Sequence, residues 1–76
     1  MKQYVSDQTA LRKRTNHFVL RQRERLITDQ EVLAALRRGH LTHHLRDGRL
    51  CRRYELDGLI LIADRKDCLI TTYRQF

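Results

Sequence analysis

The chain has 76 residues, of which 41 % are hydrophobic and 33 % charged, so it predicts a single domain over residues 1–76 with a thin two-layer core and no deep enclosed pocket. Sixteen Lys and Arg outnumber nine Asp and Glu, for a net charge of +7, and all but three of these cations are arginine. Because arginine binds phosphate in a bidentate manner, this charge favours nucleic acid as a partner, ahead of an acidic protein and an anionic membrane; a basic composition without any ligand is the alternative.

A first helix is predicted from about residue 7 to residue 25, because apolar residues recur there at helical spacing. Its apolar stripe comprises Leu11, Phe18, Val19 and Leu26. His17, Arg21 and Arg25 follow each other at intervals of four and form a cationic ridge along the same helix. Such a ridge can track a phosphate backbone, although charges on a helix more often form an ordinary solvent-exposed face.

A second helix of about ten residues is predicted after Thr28, which forms a capping box with Glu31. Its buried stripe comprises Val32, Leu33 and Leu36. Arg37 and Arg38 suit the negative end of the helix dipole, and we expect Gly39 to end the helix in a left-handed conformation.

Four strands are predicted in the second half, near residues 41–46, 49–56, 59–64 and 68–73. Two Asp-Gly pairs, at 47–48 and 57–58, indicate tight hairpins, and the polar stretch 64–67 indicates a looser turn. The predicted fold is therefore α+β, with two N-terminal helices packed on one face of a four-stranded antiparallel sheet. The strand order is that of a meander.

The hairpin registers assign each strand residue to a face of the sheet, since residues opposite each other share a face. The face expected to carry the helices comprises Leu41, His43, Leu45, Leu50, Arg52, Tyr54, Leu56, Leu59, Leu61, Ala63, Cys68, Ile70 and Thr72. The face expected to be open comprises Thr42, His44, Arg46, Arg49, Cys51, Arg53, Glu55, Ile60, Ile62, Asp64, Leu69, Thr71 and Tyr73. We expect Tyr54 to be a core residue whose hydroxyl reaches an edge.

The open face combines Arg53, His44, Thr71 and Tyr73, which could hold a phosphodiester and move protons around it. In RNA cleavage, His or Tyr could transfer the protons, and Arg could stabilise the charged phosphate. The alternative is a solvated face whose arginines serve only solubility. A metal site is not expected, because the histidines at 40, 43 and 44 do not converge.

The expected cellular location rests on the lack of a membrane-spanning run and of a secretory signal in the sequence. No apolar run approaches the ~20 residues needed to span a bilayer, and the stretch from Met1 to Asp7 is polar rather than a secretory signal. Cys51 and Cys68 are too few for a disulfide framework, and the predicted registers separate them, so both are expected to be free thiols. We expect a cytoplasmic protein without a membrane partner or a cofactor.

Three segments resemble a family of small bacterial domains that includes BrnT-like and, more distantly, RelE-like toxins. His17-Phe-Val-Leu-Arg21-Gln-Arg-Glu-Arg25-Leu-Ile27 is similar to the family's His-x3-Arg-x3-Arg-x-Ile helix. Residues 28–36 look like its second helix, and Ile70-Thr71-Thr-Tyr73 looks like its closing strand. The resemblance spans the stretch from His17 to Tyr73, about three quarters of the chain. The sequence departs from the pattern at Leu26, where the family often has glycine.

The resemblance implies the RelE/BrnT-like fold of two helices followed by a sheet, a metal-independent endoribonuclease activity of toxin type, and an acidic antitoxin protein that masks the sheet. Position by position it points to His17, Arg21, Arg25, Thr71 and Tyr73, and the register argument adds Arg53. The residues predicted to be catalytic are His17, Tyr73, Thr71 and Arg53. Those predicted to bind nucleic acid are Arg21, Arg25, His44, Arg46 and Arg49. The alternative is a non-catalytic module that binds nucleic acid or protein, such as a phage or mobile-element regulator or inhibitor. RNA is the expected partner, and a homodimer is left open.

Overall fold

The computed structural model describes residues 7–75 and shows an α+β fold, with helices followed by a four-stranded antiparallel sheet in the order β1-β2-β3-β4. This confirms the predicted class and sheet. Most of the polar start, residues 1–6, lies outside the described residues. The elements are α1 (Asp7–Arg12), α2 (Asn16–Glu24), α3 (Asp29–Arg38), β1 (His40–Arg46), β2 (Arg49–Leu56), β3 (Leu59–Ala63) and β4 (Leu69–Arg74).

The prediction of one continuous first helix is wrong, because the chain leaves the helical conformation between α1 and α2. There the Thr15 amide donates to the Leu69 carbonyl (2.9 Å) and the Leu69 amide donates to the Lys13 carbonyl (2.6 Å). The Thr15 hydroxyl also caps α2 by accepting a hydrogen bond from the Phe18 amide (3.0 Å). Helical periodicity continues across the break, since Leu11 and Phe18 both pack on the same core. Residues 13–15 thus cover the outer edge of β4 at its first residue.

The end of α2 has a Schellman motif with a leucine in the position that usually needs glycine. Leu26 has a φ of 54° and is 83 % exposed. The Leu26 amide donates to the Arg23 carbonyl (3.2 Å), and the Ile27 amide donates to the Gln22 carbonyl (2.9 Å). The departure from the resembled family at this position therefore places a side chain on a strained backbone.

The capping box of α3 is confirmed, but the predicted conformation of Gly39 is wrong. The Thr28 hydroxyl accepts from the Glu31 amide (3.1 Å), and the Glu31 carboxylate accepts from the Thr28 amide (3.0 Å). Gly39 has a φ of −69°, which is not left-handed. Glycine is required there because a Cβ would collide with the Ala35 carbonyl oxygen and crowd the carbonyl oxygen of Glu55 (3.1 Å).

Both predicted hairpins are confirmed. Asp47 and Gly48 have φ values of 51° and 77°, and Asp57 and Gly58 have values of 50° and 85°, as type I′ turns require. The resulting registers, with position 46 opposite 49 and position 56 opposite 59, are those that the turns predicted.

A bulge in β4 overturns part of the face assignment. Ala63 pairs with Leu69 but Ile62 pairs with Thr71, so Ile70 is the extra residue. Leu69 therefore joins the helix side of the sheet and Ile70 joins the open side, the reverse of the prediction. Cys68 precedes β4, and its amide donates to the Asp64 carboxylate (2.9 Å).

Two apolar clusters lie on either side of the sheet. The cluster that contains helix residues, called here the helix-side core, comprises Phe18, Ile27, Val32, Ala35, Tyr54, Leu59, Leu61, Ala63 and Leu69. The second, called here the open-side cluster, comprises Cys51, Ile60 and Ile62, with Ile70 and Tyr73 packed against it. Both cysteines are free thiols, as predicted.

The helix layer is narrower than the sheet. α2 packs along β4, and α3 packs on β2 and β3. As a result, three leucines of the first hairpin that were predicted to lie beneath helices are 43 %, 72 % and 46 % exposed, namely Leu41, Leu45 and Leu50. No helix described between residues 7 and 75 is long and apolar enough to cross a membrane.

Candidate nucleic-acid interface

The open face of the sheet carries three of the four residues predicted to be catalytic. Arg53 pairs with Ile62 of β3, and Ile62 pairs with Thr71 of β4, so Arg53 and Thr71 lie in one row across the sheet. Tyr73 lies in the adjacent row, opposite Ile60. His44 lies on the same face of β1, opposite Cys51.

Arg53 is already engaged with protein groups. Its Nη1 donates to the Glu55 carboxylate (3.0 Å), and its Nη2 donates to the Gln75 side-chain oxygen (3.1 Å). Thr71 is only 9 % exposed, and Tyr73 is half-buried against the open-side cluster. A phosphate bound to Arg53 would have to displace the Glu55 carboxylate, and the hydroxyl of the buried Thr71 would be poorly accessible to it.

The fourth predicted catalytic residue lies on a different layer. His17 is exposed on α2, whose Phe18 is fully buried in the helix-side core. Along the same ridge, the Arg21 guanidinium pairs with Glu24 (2.6 Å), and Arg25 is exposed at the end of the helix. In the described part of the chain no hydrogen bond or ion pair joins this ridge to the open face. The predicted catalytic residues therefore do not form one connected site.

A cleft of about 1150 Å³ opens at one end of the sheet, between the β1–β2 hairpin and the turn of residues 64–68. We call it the end cleft. The apolar residues of its lining are Leu45, Leu50, Cys51 and Ile70. Its cations come from both sides, with Arg46 and Arg49 on the hairpin and Arg65 and Lys66 on the turn, all four of them exposed.

The cations of the end cleft have no carboxylate partner among the described residues, a property they share with Arg12, Arg23, Arg25 and Arg38. Within the described residues, the ion pairs of 2.6–3.0 Å neutralise Arg14, Arg21, Arg52, Arg53 and Arg74. None of these pairs involves a cation of the end cleft. Two carboxylates, Asp47 and Asp64, also line the cleft, so its four cations and two carboxylates leave a net charge of +2.

The hairpin register places Arg46 directly opposite Arg49. Like charges directly opposite each other on neighbouring strands destabilise a sheet, and no described carboxylate forms an ion pair with either guanidinium group. An anion bound between the two guanidinium groups would relieve their repulsion and would gain charge-assisted hydrogen bonds.

The opposite wall of the end cleft is held in place by hydrogen bonds. The Asp64 carboxylate accepts from the amides of Lys66 (2.8 Å) and Cys68 (2.9 Å), which forms an Asx turn. Because this carboxylate serves the turn, it is less available to the arginines. The Lys13 ammonium donates to the Lys66 carbonyl (3.3 Å) and brings a further cation to the turn.

The same turn is anchored to β2 through Asp67, which has a left-handed backbone (φ 62°). Its carboxylate accepts from the Tyr54 hydroxyl (3.0 Å) and pairs with Arg52 (2.7 Å). Burial raises the pKa of Tyr54, and the hydrogen bond to Asp67 raises it further. The pKa of Arg52 is also raised, chiefly by its hydrogen bond to Asp67. The prediction that Tyr54 is a core residue with its hydroxyl at an edge is confirmed.

Of the residues predicted to bind nucleic acid, the structure thus brings Arg46 and Arg49 together at the end cleft. Sequence reasoning missed Arg65 and Lys66, although two basic residues between Asp64 and Asp67 were a visible signal. His44 lies next to Cys51 on the cleft side of β1, and its Nδ1 is buried without a hydrogen-bond partner. Within the described residues there is no group of three or more His, Cys, Asp or Glu side chains that could hold a metal ion.

Comparisons with known proteins identify no relative of this chain. No protein-family model matches the sequence, and neither the curated proteins nor the solved structures contain a match.

Proposed function

We propose that this protein binds single-stranded RNA in the cytoplasm, with backbone phosphates held in the end cleft. The observation that carries the proposal is the directly opposed pair Arg46 and Arg49, which no described carboxylate neutralises. Arg65 and Lys66 of the anchored turn line the same cleft, and they add two cations that could contact further phosphates of an RNA backbone. The planar guanidinium group of arginine binds two phosphate oxygens at once, a property that solubility alone does not require.

A single strand fits the end cleft better than a duplex does. The half-buried Ile70 also lines the cleft, on the same face of the sheet as Arg46 and Arg49, and an unstacked base or sugar can pack on it. The bases of a duplex are stacked inside the helix and cannot reach such a surface.

Fluorescence anisotropy with a labelled RNA oligonucleotide, measured over a salt series, tests the proposal. The double variant Arg46→Gln/Arg49→Gln removes two phosphate contacts, so the affinity for RNA should fall at least about tenfold. The negative slope of log K against log salt should become shallower by roughly 1.4. The matched control Arg21→Gln/Arg53→Gln removes the same charge from residues that carboxylates already neutralise, and we expect it to bind nearly as well as the unmodified protein. Equal losses in both variants would reject the end cleft as the binding site.

Folding of the test variant can be checked independently. Because the opposed guanidinium groups repel each other, the Arg46→Gln/Arg49→Gln variant should unfold at the same temperature as the unmodified protein or a higher one. A loss of RNA binding together with a retained unfolding temperature would exclude misfolding as the cause.

A second proposal, metal-independent cleavage of RNA, is favoured by the shared face of Arg53, Thr71 and Tyr73. The order of helices and antiparallel strands supports the resemblance to BrnT-like and RelE-like toxins, for which an acidic antitoxin would be the natural partner. Incubation with RNA in EDTA tests it: cleavage that is lost in Tyr73→Phe and His17→Ala would support an enzyme. Salt-sensitive binding without products would leave the binding module as the function.

A further inference from the structure

The two edge strands of the sheet, β1 and β4, differ in their backbone pairing on the outer side. Residues 13–15 pair with Leu69 and cover the beginning of the outer edge of β4. In the described residues, the backbone of β1 makes hydrogen bonds only with β2. Proteins usually protect such an edge with charges, proline or a covering segment. Here the edge strand instead exposes Leu41 and Leu45, with Leu50 beside them on β2.

We propose that two copies of this chain associate through antiparallel pairing of β1 with β1, with the two-fold axis passing between the His43 residues of the two copies. A two-fold axis perpendicular to the sheet keeps the helices of both copies on one side and requires a residue, rather than a peptide bond, at the centre. β1 spans seven residues with His43 in the middle, so this register alone pairs the whole strand.

The register matches apolar residues with apolar residues. Leu41 of one copy lies opposite Leu45 of the second copy, and the reverse pair follows by symmetry. Each of these leucines continues an exposed apolar strip that includes Leu50, which is directly opposite Leu45 within the hairpin. On the other face Thr42 lies opposite His44 of the second copy. Such cross-strand apolar pairs are the units that stabilise sheets.

The charges of the strand do not oppose this register. In the central five positions β1 has no Lys, Arg, Asp or Glu. Arg46 lies opposite His40 of the second copy rather than opposite another arginine. Nucleic acid is a poorer occupant of this edge, because the exposed leucines offer no cation to a phosphate.

The size of the contact predicts a weak dimer. Seven strand residues and one further leucine are far fewer than the roughly 20–30 residues per side of a standard interface. Each copy carries a net charge of +7, so the copies repel each other at long range. Salt should therefore strengthen the dimer, whereas it weakens RNA binding. The proposal does not depend on RNA binding, and the two can fail separately.

Sedimentation equilibrium over a wide concentration range, at low and high salt, tests the association. Leu41→Lys places a charge in the paired strip and should raise the dimer dissociation constant at least about tenfold. Leu20→Lys is the matched control, because Leu20 has a similar exposure (52 % against 43 %) but lies on α2. A protein that stays monomeric at every concentration would overturn the proposal, and so would an equal effect of both variants.

Disulfide trapping tests the register itself. At the two-fold axis, position 43 faces its own copy with a Cα separation of about 4.5–5.5 Å, within the range of a disulfide. His43→Cys should therefore cross-link at least about ten times faster than Arg46→Cys, whose copies would lie roughly 20 Å apart along the strands. Both positions are exposed, and the unmodified chain reports the background from its own cysteines. Equal rates for the two variants would overturn the proposed register.

Discussion

The strained end of α2 allows a stability gain to be calculated for Leu26→Gly. Leu26 adopts a φ of 54°, and left-handed backbone costs a non-glycine residue about 1–2 kcal/mol. The side chain is 83 % exposed, so its removal loses little burial. Glycine also gives the unfolded chain more backbone freedom, which lowers the free energy of unfolding by about 0.4–1 kcal/mol. The net gain should be roughly 0.5–1 kcal/mol, and at about 4–8 °C per kcal/mol for a domain of this size the unfolding temperature should rise by about 2–8 °C.

Urea and thermal unfolding followed by circular dichroism measure this effect. Leu26→Ala keeps the left-handed strain and should stay within about 0.5 kcal/mol of the unmodified protein. Leu20→Gly places glycine at an exposed leucine in the middle of α2 and should lose about 1 kcal/mol. The reasoning would be refuted if Leu26→Gly destabilised the protein as much as Leu20→Gly does.

Three further predictions concern the packing around the sheet. Gly39→Ala should destabilise the fold by more than about 1 kcal/mol, because its Cβ collides with the Ala35 carbonyl; a urea midpoint equal to that of the unmodified protein would contradict this. Tyr54→Phe removes one of the two donors to the Asp67 carboxylate, leaving Arg52, and should cost about 1 kcal/mol in thermal unfolding, whereas a neutral effect would show that the hydrogen bond is not needed. The pKa of Glu31 is lowered by the hydrogen bond from the Thr28 amide and by Arg74. The ionised Glu31 carboxylate therefore stabilises the fold at neutral pH, and this stabilisation is lost as the pH falls through the carboxyl range. Glu31→Gln should therefore lose less stability on acidification than the unmodified protein, as unfolding temperatures across that range would show.

The parts of the fold that local chemistry determines could be predicted from the sequence. The Asp-Gly pairs at 47–48 and 57–58 require type I′ turns, and these turns determine the registers of three strands. The spacing of Thr28 and Glu31 located the start of α3 within one residue. Each of these signals involves residues that are close in sequence and whose geometry has few alternatives.

The errors arose where contacts between distant residues decide the conformation. The break after α1 depends on pairing of residues 13–15 with Leu69, which lies more than fifty positions away. The bulge at Ile70 depends on the way β4 closes onto β3. Gly39 was expected to be left-handed from its position in the sequence, but close approach to the Ala35 and Glu55 carbonyls explains the glycine.

For the candidate site, the sequence predicted which residues share a face but not which of them remain free to bind. Arg21 and Arg53 were predicted to contact RNA, and each is paired with a nearby carboxylate. The spacing of Arg53 and Glu55, two positions apart on one strand, already indicated that pair. In contrast, Arg65 and Lys66 were visible as a basic pair between two aspartates, but their place at the end cleft depends on the anchoring of the turn to β2.

Amide chemical-shift mapping during titration with a short single-stranded RNA tests the location of binding most directly. If the end cleft is the binding surface, the largest shifts will fall on residues 46–49 and 64–68, with the row of Arg53 and Thr71 and the ridge of His17 little affected. Shifts centred on Arg53, Thr71 and Tyr73, with the hairpin tip unchanged, would contradict the account and return the site to the middle of the open face.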